Sequence, residues 1–542
     1  ASAPMPTPLP APMPAPMPAP MPAPAPAPRP VRRSFPRPSL IDAIYALALI
    51  AAGFCYWEWQ LIWMAGNGLG TTLFFLWLLA WTFAYLQAKG IRQTWRSLLL
   101  LAAATAGSLP YALWGYRDIN GLLILSEGCL CLLWLACSCR TVLGRNLNLL
   151  LAGDFINQTM IIPWTNFGRL FSRLFGALTN DDAKPAKRTR PNWAPILIAL
   201  AGLVVAIPVL FLVISLLAAS DDGFSQLVDW LTSNLDTNQL LEWVFKLVLG
   251  LPIACFIFGA VFGNAFRNHS DHLSSEGLLR GFAAAHKLPC VALYGALGLL
   301  IAIYIVYFIA MASYLFSALA GELPTSYTYA QYARQGFFEL CGVAFINLLI
   351  LAVTWLFARR SANQRPKALR LLGGAISVLT CLLVLTAMSK MLLYIDTYGL
   401  SRLRIYTFTF MLLLLVVFVL LSAWHLKAFN AARPAVICTI LLYLALALTN
   451  SDALIAGFNV NRYLAEETRI MDVSQFGELG DAAVPALARL AAESPDASIR
   501  KQANDSLNQW NDYPNSMFLE TSTDSWYDYN LNRLVAGRIL SQ

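Results

Sequence analysis

The sequence predicts an all-α, polytopic transmembrane helix bundle of about 11 spans, with a small extracytoplasmic helical C-terminal domain and a disordered Pro-rich N-terminal tail. Three observations carry this. Of 542 residues, 58% are hydrophobic and only 13% are charged, where a soluble domain averages about 25% charged. Apolar runs long enough for a helix to cross a bilayer, ~20 residues each, recur along the chain. The charge is also split. Residues 451–542 hold 13 acidic and 7 basic side chains, although the whole chain is at +8.

Residues 1–38 form the tail. Proline fills every even position from Pro4 to Pro30, which removes backbone donors and favours polyproline II. The tail reads as a cytoplasmic spacer or as a docking strip for a partner. The apolar runs follow at 40–58, 69–88, 95–115, 121–139, 194–218, 241–265, 289–317, 334–358, 371–394, 405–425 and 434–450. They divide into N-terminal transmembrane helices (39–139), a basic and amphipathic cytoplasmic loop (140–193) and a transmembrane core (194–450). Residues 451–542 make the polar C-terminal domain.

Basic residues fill every second loop. Lys89, Arg92 and Arg96 follow the second run, Arg140 to Arg190 the fourth, and Arg359 to Arg370 the eighth. This alternation predicts a cytoplasmic N-terminus and an extracytoplasmic C-terminus. Arg402 and Arg404 are the exception, because they fall on the base-poor side. In the loop 140–193, Phe167, Leu170, Phe171, Leu174 and Phe175 share a helix face away from Arg169 and Arg173. That pattern fits an in-plane amphipathic helix or a helix packed under the bundle. In the C-terminal region, Val484, Leu487, Leu490 and Ala491 mark an amphipathic helix. Ser494-Pro495-Asp496 caps a second helix, and residues 522–540 supply a third.

Two groups invite a metal reading. Cys129, Cys131, Cys137 and Cys139 point all around one helix, so free thiols are expected. His269, Asp271, His272, Glu276 and His286 match no strong ligand spacing. No cofactor or metal is therefore expected. There is no phosphate-binding loop, nucleophile elbow or H-E-x-x-H, so the reading leans away from an enzyme. Nothing suggests a nucleic-acid partner. Membrane lipids are the expected surroundings, and envelope proteins could meet the tail or the C-terminal domain.

The stretch 332–409 concentrates the intramembrane charge. Arg334, Glu339, Lys390, Asp396, Arg402 and Arg404 should converge near the outer leaflet. Ionisable groups in a span are costly and normally pair or serve a function. Glu339 is expected to pair with Lys390, and Asp396 with Arg402 or Arg404 across the turn at Gly399. Asn347 would extend a polar line inward. Such a cluster is either a brace joining three helices to the outer domain or a ligand site. Its arginines favour an anion, and a proton relay through Glu339 and Lys390 is a further reading.

The segments YARQGFFEL…FINL, Lys390…TYGLSRLR, TNSDALIAGFNVNRYL and LGDAAVPAL resemble an uncharacterised bacterial membrane-protein family, domain of unknown function 4173, with its related 4153 group. The resemblance spans roughly 190–500. It implies a bacterial inner-membrane location and no established activity. Together these readings suggest a non-enzymatic membrane protein that binds a ligand or partner at its outer face, in envelope assembly, sensing or regulation. The alternative is a transporter of an anionic or zwitterionic substrate. Gly250, Pro252, Gly259 and Pro208 hint at the broken spans that a transporter would use.

Overall fold

The computed structural model describes residues 37–59, 68–115, 119–142, 151–179, 213–214, 216–217, 220, 237–267, 281, 288–310, 337–358, 366–427, 429–466, 471–512 and 526–541. Most of these residues are helical, and no β-strand occurs among them. The long helices are α1 (Leu40–Glu58), α2 (Leu69–Ala88), α3 (Trp95–Trp114) and α4 (Asn120–Cys139). A short α5 (Leu151–Ile156), a π-helical turn (Asn157–Ile161), α6 (Ile162–Thr165) and α7 (Arg169–Thr179) come next. Then follow α8 (Thr237–Ala265), α9 (Cys290–Ala310), α10 (Phe337–Phe357), α11 (Lys367–Tyr398), α12 (Arg402–Leu426) and α13 (Ala432–Leu448). The C-terminal helices are α14 (Ser451–Leu464), α15 (Gln475–Leu479), α16 (Val484–Glu493), α17 (Ala497–Asp512) and α18 (Leu531–Leu540).

Among the described residues, 9 helices are long and apolar enough to cross a membrane. They coincide with nine of the expected runs, and the run 194–218 lies almost wholly outside the described residues. The last expected run differs. α13 is only 17 residues long and meets α14 at a bend of 64°. At ~1.5 Å per residue, α13 alone is shorter than the other spans. α8 continues unbroken through Pro252, so it offers no broken span.

Close approach of backbones sets the first half of the bundle. α1 crosses α8 where Gly53 faces Gly250, and a Cβ on Gly53 would lie 2.8 Å from the Gly250 carbonyl carbon. In lipid, where apolar side chains gain little by leaving the solvent, small residues let helices pack this closely. In the first turn of α1, Asp42 is fully buried yet well satisfied. Its Oδ1 accepts from Lys89 Nζ at 2.7 Å and from Tyr85 Oη at 2.8 Å, and its Oδ2 accepts from Ser39 N at 2.9 Å. The amphipathic helix α7 packs on α1 and α8. Leu170 and Leu174 are buried, and the Arg173 guanidinium stacks over Phe262 at 4.7 Å. It therefore packs against the bundle, as in the second of the two readings of its pattern.

The second half centres on the hairpin α11–α12, with α9 and α10 against α11. Asn347 is the polar pin of this core. Tyr304 Oη donates to its Oδ1 at 2.6 Å, and its Nδ2 donates to Thr380 Oγ1 at 2.8 Å, so one amide ties three helices. A cavity of about 290 Å³ lies between the end of α10, the start of α11 and the end of α12, lined by Leu351, Trp355, Leu369, Trp424 and His425.

The C-terminal helices have an apolar core of their own. Ile455, Val460, Phe476, Val484, Leu487, Leu490, Ala503 and Ala536 are buried together. The helix expected from Val484, Leu487 and Leu490 thus presents those residues inward. Asp496 caps α17 through the Ser498 amide at 2.7 Å.

Candidate functional site: the hairpin tip and the helix across it

Residues 399–401 join α11 to α12. Gly399 has φ +77°, a left-handed conformation that costs other residues energy. It ends α11, and its amide closes on Ile395 O at 2.8 Å. The turn then needs partners for its remaining polar groups. α14 supplies them. Asn459 accepts from Leu400 N at 2.8 Å and donates back to Leu400 O at 3.0 Å. Arg462 donates to Ile395 O at 3.2 Å.

Arg402, Asp396 and Arg404 find partners outside the sequence cluster. Arg402 holds Asp452 in a two-pronged pair, Nε to Oδ1 at 2.7 Å and Nη2 to Oδ2 at 3.0 Å. Both side chains are largely buried, 14% and 4% exposed. Asp396 lies 3.6 Å from Arg462 and is 79% exposed. Arg404 covers the Tyr394 ring at 4.1 Å and donates to the Tyr398 and Gly399 carbonyls. The expected clamp between Asp396 and Arg402 or Arg404 is thus replaced. Each arginine engages a group that its helical geometry presents better, and the partner carboxylate of Arg402 comes from α14. Lys390 is half-buried on α11 and feels the charge of Glu339, which is exposed at the start of α10. Arg334 lies outside the described residues, as does almost all of the histidine-bearing loop 268–287.

Sequence reasoning missed Asp452, Asn459 and Arg462 as partners. Their signal was present in the segment TNSDALIAGFNVNRYL, where Asp452, Ile455, Ala456, Val460 and Tyr463 fall on one helical face. The structure buries that face. A second missed group is Glu127 in α4, which is fully buried.

Chemically, the hairpin tip is a saturated joint. Its guanidinium groups are engaged by carboxylates, carbonyls and an aromatic ring. Among its described acids, Asp396 stays exposed beside Arg462. The described cavity is apolar and lies at the other end of the same helices.

No curated protein and no solved structure matches the chain. A family model of the 4153 group, which the motifs suggested as the relative of the 4173 group, matches the chain. It also reaches further towards the N-terminus than the motifs did, from within α2 through α7. The match covers residues 73–490, so the chain belongs to the family described as Domain of unknown function (DUF4153).

Proposed function

We propose that this multi-pass membrane protein sits in a bacterial cytoplasmic membrane and binds a partner or ligand at the face that carries α14–α18. The reading is non-enzymatic. The two-pronged Arg402–Asp452 pair supports it most directly. It joins the α11–α12 hairpin to the C-terminal helices, so that force or binding on those helices is felt by the spans. The exposed Asp396 and Glu339 carboxylates near this joint favour a cationic or zwitterionic partner. Engagement of Arg402 and Arg404 within the chain argues against an anion held between them. The alternation of basic loops supports an extracytoplasmic position for this face.

The test uses single cysteines in a chain whose ten native cysteines are replaced. Gln502→Cys, on the exposed side of α17, should react with a membrane-impermeant maleimide in intact cells. Labelling only after permeabilisation would overturn the orientation. A photoreactive residue at position 396 or 502 should give a discrete protein adduct in cells. Adducts with lipid alone at both positions would overturn partner binding.

A further inference from the structure

Glu127 lies on α4, seven residues from its start at Asn120. Gly107 lies seven residues before the end of α3, and Tyr443 five before the end of α13. At ~1.5 Å per residue, all three sit roughly 7–11 Å inside the same end of the bundle, the end that carries the C-terminal helices. There the Tyr443 hydroxyl meets Glu127 Oε2 at 2.9 Å and the Gly107 carbonyl at 3.4 Å. The Cys131 thiol reaches Oε1 at 3.8 Å. A Cβ at residue 107 would fall 2.9 Å from the Tyr443 hydroxyl and collide with the carboxyl, so glycine makes room for the pair.

The titratable groups around this carboxyl are Tyr443 from α13, Cys131 from α4 itself and, acting on Tyr443, Tyr111 from α3. Among the described residues of α3, α8, α13 and the π-helical turn, no charged side chain acts on it. It differs in this from Asp42, which has Lys89. A bare carboxylate in hydrocarbon costs several kcal/mol, and two neutral donors do not offset a full charge. A carboxylic acid, by contrast, matches the site, because it can donate as well as accept. Two further polar side chains lie between this carboxyl and that end of the bundle. Tyr111 is one turn beyond Gly107 on α3. Asn120 is two turns beyond Glu127 on α4, is nearly fully buried, and its Oδ1 receives no hydrogen bond.

We propose that Glu127 is an intramembrane proton-binding site that exchanges its proton with water at the end of the bundle carrying α14–α18, by way of the Tyr443 hydroxyl. In release, the Glu127 O–H bond breaks and its proton passes to the Tyr443 hydroxyl oxygen. That hydroxyl gives its own proton onward, and bulk water takes up one proton in all. Uptake is the reverse. The site is independent of the partner-binding reading, since it needs neither a partner nor an orientation.

The test uses the full chain in lipid vesicles with two probes. Dicyclohexylcarbodiimide adds across a protonated, lipid-embedded carboxyl to give an N-acylurea that mass spectrometry locates. Glu127 should be modified in the parent protein and not in Glu127→Gln. The extent should change roughly tenfold or more as the medium is titrated from acid to alkaline. Infrared spectroscopy should show a carboxylic C=O band that is lost in Glu127→Gln and shifts on transfer to heavy water. Tyr443→Phe, which keeps the carboxyl, should slow that shift and carries the test if Glu127→Gln fails to accumulate. Absence of the band would overturn the neutral acid. A band that ignores heavy water, with labelling that ignores pH, would show a sealed structural acid and overturn the exchange. An unchanged rate in Tyr443→Phe would overturn the route.

Discussion

Arg402 and Asp452 are 50 residues apart in the chain, and their side chains meet in a two-pronged pair at 2.7 and 3.0 Å. One belongs to the first turn of α12 and the other to the first turn of α14. Removing either partner strands a largely buried charge. Arg402→Ala or Asp452→Ala should therefore cost ~3–5 kcal/mol, read as a lower thermal midpoint and faster proteolysis of α14–α18. The double variant should cost less than the sum of the singles. Arg402→Lys should recover only part, because an ammonium lacks the planar fork. Strict additivity would show that the pair carries no coupling.

Gly399 combines a φ of +77° with direct contact to the Asn459 side chain. Any Cβ is strained there and also pushes on the amide that caps the turn. Gly399→Ala should destabilise by about 1–2 kcal/mol from the backbone conformation, plus the disturbed cap. Asn459→Ala should loosen the same joint without backbone strain. Hydrogen exchange of the Leu400 amide measures both. Protection equal to the parent protein in both variants would refute the joint.

The crossing of α1 and α8 depends on Gly53 and Gly250 together. Gly53→Ile or Gly250→Ile should lower the thermal midpoint in detergent and expose the α1–α8 seam to crosslinking. Gly128→Ala makes the control, since a Cβ there meets open space. It should be neutral or slightly stabilising, because alanine is the better helix former by ~1 kcal/mol.

Burial pushes the Asp481 carboxyl above its ordinary value of 3.8, and Arg533 pulls it partly back. The sign follows from the raised value in the folded chain. The folded state favours the protonated form, so this group's contribution is fully present below 3.8. It is lost as the pH rises through the folded value. Asp481→Asn should remove that segment of the stability profile and stabilise the C-terminal helices at neutral pH. Denaturation followed at several pH values from acid to neutral decides it, and a parallel profile for the variant would refute the claim.

Most spans were legible from apolar length alone, because a helix in lipid must satisfy its backbone internally and needs a fixed reach. The exception is instructive. α13 is apolar enough to read as a final span, yet its end at Leu448 is set by the bend into α14, which no hydropathy pattern encodes. At the hairpin tip, the location of Arg402 was legible and its partner was not. Charge spacing along one chain segment pointed to Asp396, whereas Asp452 arrives from a helix 50 residues later, oriented by its own buried face. Glu127 was missed, although a lone acid in an apolar run is a signal. Its partner Tyr443 carried none, since an aromatic near a span end reads equally well as an interfacial anchor.

The Gly53–Gly250 crossing also imposes a timetable. The ribosome delivers Gly250 about 200 residues after Gly53, which at ~5–20 residues per second is roughly 10–40 s. Through that interval the first helix has entered the bilayer without its principal neighbour, with a bare backbone seam open to lipid. Whatever shields a nascent helix of this kind must hold it loosely enough to hand it over when α8 emerges.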